Sequence, residues 1–413
     1  MAIRLRGAAL LMHGGGPTHV INASLAGVSE ECRRHNGITV LYGARHGIEG
    51  LLTEDFIDLS AEHPDRIAAV ARTPGSALGS CRSKVTDADY ERMLRILRAH
   101  EIRFLFFNGG NGSMFLAHRI ASIAAAESYE LRVIGIPKTI DNDLAVTDHT
   151  PGFGSAAWFF ACAVRDIGED IRALRGRVTI VEVMGRNAGW LTAATALARR
   201  DPDDPPHLIY LPERPLVRAR FLSDVEAIFR KRGTVVIAAC EGQKNEHGEP
   251  IGDLGTPDGF ARRLSGNMAH TLAQWVTSDL KLHGRSEKPG LLGRSSMAFV
   301  SETDWREAYL CGQAAVSAAI AGHTDRMITL VREHGSVYRV STGLCPLEDA
   351  AYVERLFPDE WIAPEGNDVA AAFLAYVKPL AGPMRQHERL AGKPVDPKLS
   401  RYNRDIGAIE PAP

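Results

Sequence analysis

The chain carries almost no excess charge of either sign. Its 48 lysines and arginines face 50 aspartates and glutamates, for a net charge of -2 over 413 residues. Nucleic acid or an anionic membrane surface would call for a basic footprint, so neither is expected as a partner; a locally basic pocket for a small anion stays open. Cysteine is also sparse. Cys32, Cys81, Cys162, Cys240, Cys311 and Cys345 are scattered, with no CxxC pair and no metal-type spacing. They read as reduced thiols of a cytoplasmic protein rather than as a disulfide framework. No apolar run reaches the length of a membrane span. The opening MAIRLRGAALLMHGGG leads straight into glycines, as a first strand does and a signal peptide does not. His13, His19 and His46 offer no triad or metal spacing and read as structural.

What is present is enough for ordinary cores: 45% of residues are hydrophobic, in a length that suits roughly two to three domains. Short apolar runs occur at 8–12, 38–44, 103–107, 132–137, 178–183, 207–212 and 234–240. They are continuous rather than alternating, the pattern of strands buried on both faces of a parallel sheet. Amphipathic segments such as DADYERMLRILRAHE (87–101) and LSDVEAIFRKRG (222–233) lie between them. The β-α-β-α order predicts an α/β fold of doubly wound domains with mainly parallel sheets.

Ligands of such folds bind at the carboxyl ends of the strands, and here those ends are unusual. The first run ends in His13-Gly14-Gly15-Gly16-Pro17, and 103–107 ends in Asn108-Gly109-Gly110-Asn111-Gly112-Ser113. Neither loop has the Walker or dinucleotide spacing. Each is a phosphate cradle of inward N–H groups or simply a tight turn. The run 132–137 ends in Lys138-Thr139-Ile140-Asp141-Asn142-Asp143. Asp141 there suits the general base for a hydroxyl, and Lys138 suits neutralisation of a transferring phosphoryl group; the plain alternative is an Asx-rich turn with a solvated lysine. Arg186, past the run 178–183, is an anion clamp or a turn cap. Arg82, Arg177, Arg285 and Arg294 look ordinary one at a time.

Taken in order, GGG, GSCR, GGNGS, PKTIDNDL, TPGFGSAA, VEVMGRNAGW, LPE and EG resemble the phosphofructokinase family over about residues 5–340. GSCRSK, GGN, DLAVTDHTPGFGSAA and NAGWLTAA are most similar to a bacterial pyrophosphate-dependent branch. The resemblance implies transfer of a phosphoryl group to the 1-hydroxyl of fructose 6-phosphate with Mg2+, on two α/β domains assembled as a homodimer or homotetramer. It implies a donor domain of residues 1–150 plus about 290–343, a sugar-phosphate domain of 151–289 plus about 344–380, and a C-terminal arm at 381–413. It makes Asp141 the base, with Lys138, Thr139 and Arg186 beside it. Gly15, Gly16, Arg82, Gly110, Asn111, Gly112 and Ser113 would take the donor, with Asn111 also at the metal. Asp143, Arg177, Met184, Gly185, Glu241, Arg285 and Arg294 would take the acceptor, the two arginines 177 and 285 often across a subunit interface.

Three positions depart from the family's pattern. Leu291 stands where a Tyr or His usually helps bind the acceptor phosphate, and Gly293 replaces a glutamine. Gly112 stands where pyrophosphate users commonly carry an aspartate, yet Lys138 is typical of those users. Pyrophosphate is the expected donor. The alternatives are ATP, another ketose phosphate such as sedoheptulose 7-phosphate as acceptor, or a catalytically weak paralogue that binds sugar phosphate as a regulatory subunit.

Overall fold

The computed structural model describes residues 5–257, 263–385 and 387–392. The strands are β1 (Gly7–His13), β2 (Ile38–Ala44), β3 (Phe56–Asp58), β4 (Ile102–Gly109), β5 (Arg132–Pro137), β6 (Arg177–Val183), β7 (Leu208–Tyr210), β8 (Val235–Cys240), β9 (Asp253–Pro257), β10 (Arg263–Ser265), β11 (His283–Glu287), β12 (Arg326–Arg332) and β13 (Val340–Pro346). One sheet has seven strands in the order β13-β12-β5-β4-β1-β2-β3, and a second has four in the order β11-β6-β8-β7. The pairs β12–β5, β5–β4, β4–β1 and β1–β2 are parallel, while β3 and β13 close the two edges antiparallel. The second sheet is parallel throughout. This is the α/β architecture that the apolar runs predict; all seven of them form strands.

Alternation along the strands explains why those runs are apolar without a break. Leu10, Met12, Leu105, Phe107 and Val133 join the core on one face of the large sheet, and Ala9, Leu11, Phe104, Phe106, Ile134 and Ile136 join the core on the other. The small sheet divides likewise, with Val181, Val183 and Val236 on one side and Ile180, Val235 and Ile237 on the other. With both faces covered, polar residues are few before the strand ends, and Thr179 and Glu182 within β6 are themselves buried.

Helices connect the strands. Asp87–Ala99 starts with a capping box between Thr86 and Asp89, as its acidic first turn suggests. Phe153–Ala173 starts at Gly152, which has no capping side chain. Its cap comes from far along the chain: the Asp304 carboxylate accepts from the N–H of Gly152 (2.8 Å) and of Ser155 (2.9 Å). No helix among the described residues is long and apolar enough to cross a membrane. Strand β13 runs through residue 343, and Leu347 and Ala350 just beyond it are buried in a core of the large sheet. Of the segment 381–413, residues 386 and 393–413 lie outside the described residues.

Candidate active site

Strands β1, β4 and β5 are neighbours, so the loops at their carboxyl ends share one rim. The loop after β4 enters the helix Asn111–Ala126 at once, with Gly110 at the cap and no side chain closing it. The first-turn N–H groups of such an end favour an anion. The loop after β1 differs from the expected strand-to-helix turn, because its helix begins only at Ile21. Its glycines act through their carbonyls: Lys138 Nζ donates to the carbonyl of Gly14 at 2.8 Å and of Gly16 at 2.7 Å. The lysine is 3% exposed. Lys138 is therefore not a solvated turn residue, and it ties the loop after β5 to the loop after β1.

The charged groups around it form one field. Burial brings Lys138 down to about 8, with Asp141 and Asp143 opposing that and Arg294 and Arg82 adding to it. Burial also raises Asp141, while Arg186 and Lys138 pull it back and Glu354 pushes it further up. Asp143 is raised to about 7 by burial, then by the charges of Asp141 and Glu354. Glu241 is raised by burial and by Asp141, and its Oε1 lies 3.4 Å from the N–H of Gly185. Arg294 is lowered by burial and by Arg82, and it also feels Asp141, Arg186 and Glu241. Burial and Lys138 hold His13 down at about 3; its Nδ1 lies 2.8 Å from Ser76 Oγ. It is therefore neutral at physiological pH.

Backbone geometry sets the loops. Thr139 Oγ1 accepts from the N–H of Asp141 at 3.0 Å. Arg186 has a left-handed φ of 51° and Gly185 a φ of 137°. At Gly16 a Cβ would lie 2.5 Å from Arg294 Nη1 and 3.8 Å from Arg82 Nη2, so the guanidinium of Arg294 rests against this glycine and a side chain here would displace it. At Gly112 a Cβ would have nothing within 4 Å, which leaves open space beside the helix end. Ser113 and Gly110 belong to the same turn, where the Ser113 N–H returns to the Gly110 carbonyl at 2.8 Å.

The structure thus gathers Gly15, Gly16, Arg82, Gly110, Asn111, Gly112, Ser113, Lys138, Thr139, Asp141, Asp143, Gly185, Arg186, Glu241 and Arg294, with Met184 against the core at the same strand end. It does not bring Arg177 and Arg285 to Asp141 within the chain. Arg177 opens β6 and pairs with His283, while Arg285 pairs with Thr179. Both therefore occupy one face of the small sheet, and Arg177 is about 20 Å of strand away from the loop after β6. Leu291 is 64% exposed and offers no donor. The glycine at 293 has a steric cause: a Cβ there would sit 2.4 Å from the Phe160 ring.

Residues that the sequence reading missed surround the same loops. Glu354 is one, through its effect on both aspartates. Glu213 is another: its Oε1 accepts from the N–H of Gly189 at 2.8 Å and from that of Phe357 at 2.8 Å. The LPE motif contained Glu213, but nothing near it in the sequence named its partners.

A family profile described as Phosphofructokinase matches residues 8–319. The pyrophosphate–fructose 6-phosphate 1-phosphotransferase of Rhodospirillum rubrum is 42% identical over 386 residues, covering 91% of this chain and 95% of that protein. The protein of the same name from Xanthomonas campestris is 41% identical, over 90% of each chain. Among solved structures, the pyrophosphate-dependent phosphofructokinase of Marinobacter aquaeolei superposes with a TM-score of 0.83 at 36% identity, covering 95% of this chain and 98% of that one. The chain belongs to the phosphofructokinase family.

Proposed function

We propose that this protein transfers a phosphoryl group from pyrophosphate to the 1-hydroxyl of fructose 6-phosphate, giving fructose 1,6-bisphosphate and orthophosphate. The observation that carries this reading is the buried amine of Lys138, fixed to the Gly14 and Gly16 carbonyls and sharing a field with Asp141. A compact fixed cation suits a small, highly charged donor. The similarity to proteins named for that reaction supports the same reading.

Asp141 takes the proton of the attacking hydroxyl, and its raised basicity suits that role near neutral pH. Lys138, Arg186, Arg82 and Arg294 stabilise charge on the transferring group, the dominant form of catalysis in phosphoryl transfer. The helix end at Asn111–Ser113 and the loop at Gly15–Gly16 hold donor oxygens. Met184, Gly185 and Glu241 hold the sugar. Asp143 and Thr139 set the pose of Asp141.

The residues present suit Mg2+. Asn111 Oδ1 and Asp143 Oδ1 are buried oxygens without a hydrogen-bond partner, and Asn111 Nδ2 lies 3.5 Å from the Asp143 carbonyl. Among the described residues no group of three or more His, Cys, Asp or Glu converges as a metal site. A cation held by these two would complete its shell from substrate oxygens and water, as Mg2+ commonly does. It would supply charge neutralisation on the donor.

Arg177 and Arg285, remote from Asp141 in their own chain, take the acceptor's phosphate in a neighbouring subunit's site, so the working form is a homodimer or homotetramer in the cytoplasm. Residues 1–150 with about 290–343 make up the donor part. Strand β13 and the segment to Ala351, packed on the large sheet, carry it a little further. Residues 151–289 and the remainder to about 380 make up the sugar part.

The open space at Gly112 favours a second reading, in which ATP is the donor. A steady-state assay with Mg2+ and fructose 6-phosphate, run with pyrophosphate and with ATP, separates the two. Product with pyrophosphate supports the first reading; product with ATP alone replaces it.

A further inference from the structure

We propose that Arg355 is a positioning residue for the phosphoryl-transfer centre, a clasp that holds the loop bearing Asp141 against the loop bearing Arg186. It rests on the phosphotransferase reading for its kinetic consequence only. Arg355 lies beyond residue 319, where the family profile ends, and no motif in the sequence marks it.

The clasp closes on both loops. Its Nε and Nη2 donate to the carbonyl of Asn142 at 3.2 and 2.9 Å, and its Nη1 donates to the carbonyls of Thr147 and Asp148 at 2.6 Å each. Its own N–H donates to the Asp143 carbonyl at 2.8 Å. On the other side, its guanidinium lies 4.5 Å from the centre of the Trp190 ring, and its carbonyl accepts from Trp190 Nε1 at 3.1 Å. Trp190 begins the short helix Trp190–Ala194, four positions after Arg186.

The charge chemistry explains why an arginine suits the place. Three carbonyls converge from one turn of loop, and only a planar fork with several donors satisfies them together. Asn142 is the residue most in need of support, since it sits between the two aspartates with a left-handed φ of 55°. Such a conformation persists only where its surroundings hold it. Tyr376 completes the grip by accepting from Asn142 Nδ2 at 3.1 Å and donating to the Asp148 carbonyl at 2.7 Å. Loosening Arg355 therefore frees the aim of Asp141 and its distance from Arg186 together. Misplacement by about 1 Å costs on the order of 100-fold in rate.

The test is Arg355→Ala, with Arg355→Lys beside it, followed by amide hydrogen exchange and steady-state kinetics. The expected result is faster exchange in peptides covering 139–150 and 184–190, with the strands of the large sheet unchanged. Turnover should fall by about 100-fold with much smaller changes in KM, and millimolar guanidinium should restore part of it in the alanine variant. The lysine variant, which keeps the charge but not the fork, should show an intermediate effect, and it decides the matter if the alanine variant does not fold. Native exchange in both loops of a folded variant overturns the proposal, as does a uniform rise across the whole chain without guanidinium rescue. If the unsubstituted protein transfers no phosphoryl group, the function proposed above fails, and the exchange pattern still decides the clasp.

Discussion

Lys138 reaches across the rim of the large sheet to the carbonyl of Gly16, at 2.7 Å. The contact fixes the amine at the point where the loops after β1 and β5 meet. Burial brings this lysine to about 8. A lysine loses its charge as pH rises through its folded value. The kcat/KM for pyrophosphate should therefore decline as pH rises through about 8, and the decline should vanish in Lys138→Met. That variant should lose about 100- to 1,000-fold at neutral pH, the scale of one preorganised charge-stabilising group. A flat alkaline profile in the unsubstituted protein would remove the lysine from the reaction.

Asp141 must be ionised to act as a base. Burial raises it, with Glu354 adding to this and Arg186, Lys138 and Arg294 opposing it. The acid limb of kcat should accordingly lie above the ordinary carboxylate range. Glu354→Gln removes one neighbouring negative charge and should move that limb to lower pH. Asp141→Asn should lower kcat by about 100- to 10,000-fold, the usual share of general base catalysis. Calorimetric binding of fructose 6-phosphate should persist in that variant. Turnover close to the native value would show that another group takes the proton.

Gly112 borders open space, with nothing within 4 Å of a Cβ built there. Gly112→Asp should fold normally and retain pyrophosphate turnover, while any ATP turnover falls through charge and steric conflict with the nucleotide. Donor kinetics of the two proteins side by side check this. Survival of ATP use in the variant would show that a nucleotide does not lie against residue 112.

His149 lies in the loop after β5, the one that bears Asp141. It is 1% exposed, its Nδ1 lies 2.7 Å from Asp148 Oδ2 and its Nε2 lies 2.5 Å from Glu307 Oε2. Burial alone would lower its pKa, but Glu307 and then Asp148 outweigh it and hold it up at about 9. A raised folded value means stabilisation that is complete below the ordinary histidine range and is lost as pH rises through about 9. Removing one member of a buried ion pair costs about 3–5 kcal/mol. Denaturant unfolding of His149→Gln should show a loss of that order at pH 6, shrinking toward pH 10.

Seven strands were legible because most are covered on both faces and so are mainly apolar. Three edge strands, β3, β11 and β13, were not, and neither was β12 inside the large sheet. β11 reads HGRSE, and β13 has a single buried position, Cys345. The phosphate loops were legible as glycine-rich punctuation at strand ends, and the carboxylates as a tight DND. Arg355 left no such trace, because its partners are backbone carbonyls more than two hundred positions away. His149 and Glu307 meet across 158 positions. Gly293 looked like a lost side chain, whereas the Phe160 ring fills the space where one would go.

The most direct measurement is phosphorus NMR of the purified protein with Mg2+, pyrophosphate and fructose 6-phosphate. Pyrophosphate should disappear while orthophosphate and a new C1 phosphate of the sugar grow in equal amounts, and Asp141→Asn should show neither. Orthophosphate without the sugar phosphate, or a new sugar phosphate only when ATP replaces pyrophosphate, would contradict the proposed reaction.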